Sequence, residues 1–140
     1  MASVNFFAAD ISFNLSNQKE TASWIRRVIK KESYKVKEIN YVFCSDEYLL
    51  QLNQVHLNHN TLTDVITFDN SEGNIELEGE IYISIERIRE NAIIFKNTFR
   101  DELDRVLIHG VLHLMGHKDK KLAEKTQMRK KEEACLSLRK

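Results

Sequence analysis

At 140 residues, 42% hydrophobic and 30% charged, the chain has the length of one domain and enough apolar matter for an ordinary core, so disorder is excluded and residues 1–140 are expected to form a single domain. Lys plus Arg and Asp plus Glu both number 21, a net charge of +0, so no global attraction to a polyanion or a membrane operates and any such site is a local patch. No apolar run approaches the roughly 18 residues of a membrane helix, and "MASVNFFAADISF" lacks the basic start of a secretion signal, so a cytoplasmic protein is expected.

There are no prolines and four glycines, so boundaries come from periodicity and capping. "VNFFA" and "ISFNL" read as short strands, and "SNQKETASWIRRVIKKE" as a helix with Trp24, Ile25, Val28 and Ile29 on one face and Ser16 as its cap. "KVKEINYVFCS" reads as a strand entering the sheet interior. "SDEYLLQLNQVHL" follows as a helix capped by Ser45 or Asp46.

"TDVITFD" and "GEIYISI" read as strands separated by the turn "NSEGN". "ERIRENAIIFK" and "FRDELDRVLIHGVLHLM" are successive helices, the second with a stripe of Leu103, Val106, Leu107, Val111 and Leu114, and Gly116 can end it in a left-handed turn. "KLAEKTQMRKKEEACLSL" is a last amphipathic helix, with Leu122, Met128, Cys135 and Leu138 toward the core. Strands and helices mix without strict alternation, which predicts an α+β fold: a small mixed β-sheet covered by helices.

Residues 118–140 are basic and 69–80 acidic; the basic run reads first as a solvated helix face. Cys44 and Cys135 form no CxxC pair and read as free thiols without a chemical role.

The chemistry concentrates in "HGVLHLMGH", His109 to His117. Positions i and i+4 of a helix sit one above the other, so His109 and His113 can aim at a common point. An HxxxH pair in a helix is often two unrelated histidines, but an unpartnered imidazole in an apolar stripe costs about 1–3 kcal/mol. A third ligand cannot come from a continuing helix, because His109, His113 and His117 would span about 12 Å. After a turn at Gly116, either His117 or Asp119 can return, and spacing does not decide between them.

"HGVLHLMGHKD" resembles the signature of the YbeY family of bacterial endoribonucleases, H-G-x-L-H-L-x-G-Y-D-H, whose three histidines bind zinc. "LNQVHLNHNTLTDVITF" is similar to the family's L-N-x-x-(Y/H)-R...-T-(D/N)-V-L-S-F, and "GEIYIS" to its G-D-I-x-I-S strand. The resemblance implies a zincin-like metal helix and one zinc ion per chain, bound by His109, His113 and Asp119. Asp119 stands where the family has histidine, a substitution zinc chemistry tolerates. His117, at the family's tyrosine, is the alternative ligand or a neighbour of the site.

The resemblance further implies a hydrolase cutting single-stranded RNA, with roles in 16S ribosomal RNA 3′-end maturation and ribosome quality control, and with the small ribosomal subunit or its proteins as partners. Zinc-activated water would attack the phosphodiester, making His109 and His113 catalytic as well as ligating. Gly110 occupies the position of the glutamate base in HExxH, which argues against a peptidase. His59, Thr63, Asp64, Lys118 and Lys120 are candidate substrate-binding residues, with Lys121 beside them.

One departure matters for the substrate. Leu57 replaces the family's phosphate-directed arginine, leaving His56, His59 or Arg87 to take its task. That loss keeps two other readings open: a hydrolase of another substrate, and a ribosome-assembly factor whose metal serves stability.

Overall fold

Alternation puts Ile39, Tyr41 and Phe43 on one side of a single strand, and that side is almost fully buried. The computed structural model describes residues 3–57, 63–73 and 75–139. The strand is β2 (Lys35–Cys44), flanked by β1 (Ser3–Ala8) and β4 (Glu76–Ser84), with β3 (Val65–Asp69) beyond β4. The order is β1-β2-β4-β3. β1 and β4 both run parallel to β2, and β3 runs antiparallel to β4, so the sheet is mixed, as expected.

Among the described residues five helices cover it: α1 (Gln18–Lys31), α2 (Asp46–Leu57), α3 (Ile85–Ile94), α4 (Phe99–Leu114) and α5 (Leu122–Leu136). Trp24, Ile25, Val28 and Ile29 of α1 join Leu103, Leu107 and Val111 of α4 and the inward residues of β2 and β4 in one large core. On the other face, Leu49 and Leu52 of α2 pack against Ile66, Phe68 and Tyr82.

α4 lies unusually close to the sheet. A Cβ on Gly110 would meet Ile81 Cγ2 at 2.8 Å, so glycine there permits the contact between helix and strand. The buried Tyr41 hydroxyl donates to the Leu107 carbonyl at 2.7 Å, fixing α4 along the strand. Trp24 Nε1 donates to the Cys135 carbonyl at 2.9 Å and ties α5 to α1.

Three local expectations are corrected. "ISFNL" does not form a strand: the ladder ends at the Ala9 N–H, which donates to the Phe43 carbonyl, and Asp10 turns the chain away by accepting from the Ser45 N–H and hydroxyl. Its apolar alternation is used for cover, with Phe13 packed edge-on against Phe43 and Phe99. Ser16 does not cap α1. Asn17, in left-handed conformation, precedes that helix without a side-chain cap, and the Ser16 oxygens accept from Arg100.

Leu122 is 82% exposed. At 3.6 residues per turn it lies about 120° round α5 from Met128, whose stripe continues through Glu132 and Cys135.

Both cysteines are buried and unpaired; burial pushes the Cys44 thiol up to about 12 and Cys135 to about 11, which suits inert thiols. Among the described residues no helix is long and apolar enough to cross a membrane.

A candidate metal centre at the end of α4

The Thr98 hydroxyl accepts from the Asp101 N–H and starts α4. Its buried stripe then carries His109 and His113 to the rim of the sheet beside β3. The helix ends as the spacing predicts. Gly116 adopts φ 94, its N–H donates to the His113 carbonyl and the His117 N–H to the Leu112 carbonyl, the paired bonds of a Schellman stop.

The turn brings back Asp119. His109 Nε2 lies 3.0 Å from His113 Nε2 and 3.2 Å from Asp119 Oδ2, and His113 Nε2 lies 3.4 Å from that same oxygen. Atoms held about 2.1 Å from one ion in tetrahedral directions lie about 3.4 Å apart. These three residues can therefore hold a metal ion. The three residues line the cleft, so an ion held by two imidazoles and one carboxylate would have room for a further ligand, as in an open rather than a closed site.

His117 goes elsewhere. Its Nε2 sits 3.4 Å from Glu32 at the end of α1, a carboxylate also paired with Lys131 at 2.7 Å. Of the two residues after Gly116, Asp119 converges with the histidine pair and His117 does not.

Behind the pair stands Glu132, a buried carboxylate that sequence reasoning missed. It accepts from His109 Nδ1 at 2.6 Å and from Arg105 at 3.0 Å, and Arg105 also pairs with Glu133. A proton on Nδ1 leaves Nε2 with its lone pair toward Asp119 and His113, so Glu132 selects the ligating tautomer. Its signal was available: Glu132 occupies the same helix stripe as Met128 and Cys135, where a carboxylate needs a partner.

Burial lowers the basicity of both imidazoles, but at His109 the hydrogen bond and charge of Glu132, aided by Asp119 and Asp64, reverse the effect and raise its pKa. His113 keeps a lowered pKa, through burial and then the neighbouring charge of His109, with Asp119 opposing. One imidazole is held in place by a carboxylate, and at the other burial and the neighbouring ring work against protonation.

The cleft beyond the centre measures about 430 Å³ and is lined by Asn53, residues 63–67, His109, His113, Asp119 and Lys120. Thr63, Asp64 and Lys120 therefore reach it; Lys118 is exposed and does not line it. Burial raises the pKa of Asp64, against the charges of His109 and Arg87, and Asn91 donates to its carboxylate at 3.5 Å. Arg87 is held by Asp46 at 2.8 Å and is absent from the lining. His59 and the side chains of His56 and Leu57 lie outside the described residues.

A family model described as Endoribonuclease YbeY matches residues 7–139. An Endoribonuclease YbeY of Cytophaga hutchinsonii is 53% identical over 135 residues, 96% of this chain and 94% of that protein. One of Flavobacterium psychrophilum is 52% identical over 132 residues, 94% of each. The solution structure of TM1509 from Thermotoga maritima superposes with a TM-score of 0.67 at 28% identity, covering 97% of this chain and 88% of that one.

Proposed function

The chain belongs to the YbeY endoribonuclease family, and from that premise we propose that it is a zinc-dependent endoribonuclease of single-stranded RNA. Its expected setting is the cytoplasm, in 16S ribosomal RNA 3′-end maturation and ribosome quality control, with the small ribosomal subunit or its proteins as partners. The observation that carries the reading is the convergence of His109, His113 and Asp119, at mutual distances of 3.0–3.4 Å, on the wall of an open cleft.

A zinc ion held by His109, His113 and Asp119 would supply Lewis acidity there, lowering the pKa of a water and offsetting charge on phosphoryl oxygens. The protein's part is to hold the three ligand atoms, to fix the His109 tautomer through Glu132, and to receive the RNA strand. Lys120 is the cation among the described residues lining the cleft, and its ammonium suits a phosphate. Asp64, on the cleft wall beside the three residues, offers a carboxyl group that can hydrogen-bond a ribose hydroxyl of the substrate.

Purified ribosomal RNA incubated with the protein is expected to be cut, and a chelator to stop the cutting. Cleavage that persists in chelator would exclude a metal mechanism, and binding without cleavage would favour an assembly factor.

The carboxylate behind His109 has its own expected outcome. Glu132→Gln keeps the shape and leaves Arg105 its bond to Glu133, but removes the charge that orients the imidazole, so zinc affinity falls roughly 10- to 100-fold. Competition with a metal indicator measures it. An unchanged affinity would show that packing alone sets the ring.

A further inference from the structure

β3 is an edge strand whose pairing can be read residue by residue. Its register against β4 runs without a shift from Val65 opposite Ile83 to Asp69 opposite Gly79. At the two ends, the Ser84 N–H donates to the Asp64 carbonyl at 3.1 Å and the Asn70 N–H to the Glu78 carbonyl at 2.8 Å. In an antiparallel ladder bonded pairs alternate with unbonded ones. Ile66 and Phe68 therefore share the bonded parity with Asp64 and Asn70, while Val65, Thr67 and Asp69 turn their backbone N–H and C=O groups to the open side.

Among the described residues no other strand pairs with that side. It opens onto the metal cleft, whose lining includes residues 63–67 together with His109, His113 and Lys120. The Val65 carbonyl is already engaged by the Thr63 hydroxyl at 3.3 Å. Thr67 presents both an outward donor and an outward acceptor, and the Val65 N–H lies about 6.8 Å up the strand.

We infer that the open edge of β3, centred on the Thr67 main chain, binds the sugar–phosphate backbone of the RNA strand that enters the cleft. The inference rests on the endoribonuclease reading above. A phosphate oxygen accepts only, and takes the Thr67 N–H; a ribose 2′-hydroxyl can donate, and takes the Thr67 carbonyl. Such contacts read no base, so recognition is independent of sequence while still distinguishing RNA from DNA. An extended peptide could pair with the same edge, but Lys120 and the metal ligands beside it favour a polyanion.

Proline tests the donor alone. Thr67→Pro removes an N–H that makes no ladder bond, and proline is tolerated on an edge facing away from its partner strand. Thr67→Val removes the hydroxyl and keeps the N–H. With zinc content unchanged as the check on folding, Thr67→Pro is expected to bind a short single-stranded RNA roughly 10- to 100-fold more weakly, the loss of one hydrogen bond to a charged group. Thr67→Val stays close to the parent chain.

Amide signals of the parent protein provide a second readout that needs no variant. Added RNA should shift and protect the Thr67 and Val65 N–H groups more than those of Ile66 and Phe68, and a DNA strand of the same sequence should do so less.

Undiminished RNA binding by Thr67→Pro, or an equal loss in Thr67→Val, would overturn the inference while leaving the endoribonuclease reading intact. So would RNA binding without a change at the Thr67 amide, or protection of that amide by a Thr/Val-rich pentapeptide and not by RNA. Failure of the parent protein to bind or cut RNA would remove both.

Discussion

His113→Ala is expected to lose its zinc and to cut RNA at least roughly a thousandfold more slowly, about 4 kcal/mol of transition-state stabilisation. This substitution isolates the centre better than its partner does. His109 is bonded to Glu132, so truncating it would also take one of two partners from a buried carboxylate that Arg105 still holds, a change unrelated to metal. His113 is half-buried, and among its polar contacts are the ligand group itself, His109 and Asp119. Thermal unfolding followed beside metal content and cleavage rate separates the effects: folding is retained while zinc and activity disappear together. Cleavage within tenfold of the parent chain would mean that the histidine pair is not the reaction centre.

The second large effect concerns the residues after Gly116. Asp119→Ala removes one of the three proposed ligands, so zinc affinity should fall by more than the roughly 10- to 100-fold that loss of an outer partner costs. Asp119→His, which puts a third imidazole at that position, should restore binding. His117→Ala should leave zinc content near that of the parent, because His117 faces Glu32, which retains Lys131. Full zinc in Asp119→Ala with loss in His117→Ala would reverse the assignment. The contrast is sharp because both residues lie in the same short segment, so a general disturbance of the turn would affect them alike.

Periodicity made much of this architecture legible. The apolar stripe of α4 and the stop at Gly116 depend on local rules of spacing and φ, and both stand in the structure. Helix geometry alone excluded three stacked histidine ligands. The choice between His117 and Asp119 was not local, because it turns on Glu32, which is distant in sequence and reaches His117 only through the packing of α1.

Glu132 escaped notice for a related reason. It sits in a helix crowded with Lys and Glu, where charge suggests solvent, and only its phase relative to Met128 and Cys135 marks it as inward. "ISFNL" shows the reverse error. Ile11, Phe13 and Leu15 alternate like a strand, and they are partly or wholly buried, yet alternation reports burial and not hydrogen bonding. The parity of β3 was likewise invisible, since register follows from the pairing with β4.

Titration of metal-stripped protein with zinc, reading bound metal and RNA cleavage rate in the same samples, tests the central claim most directly. The account predicts no cleavage by the stripped chain and a linear rise that saturates at one zinc per chain. Cleavage before zinc is added, or a fully loaded centre that leaves RNA intact, would contradict it.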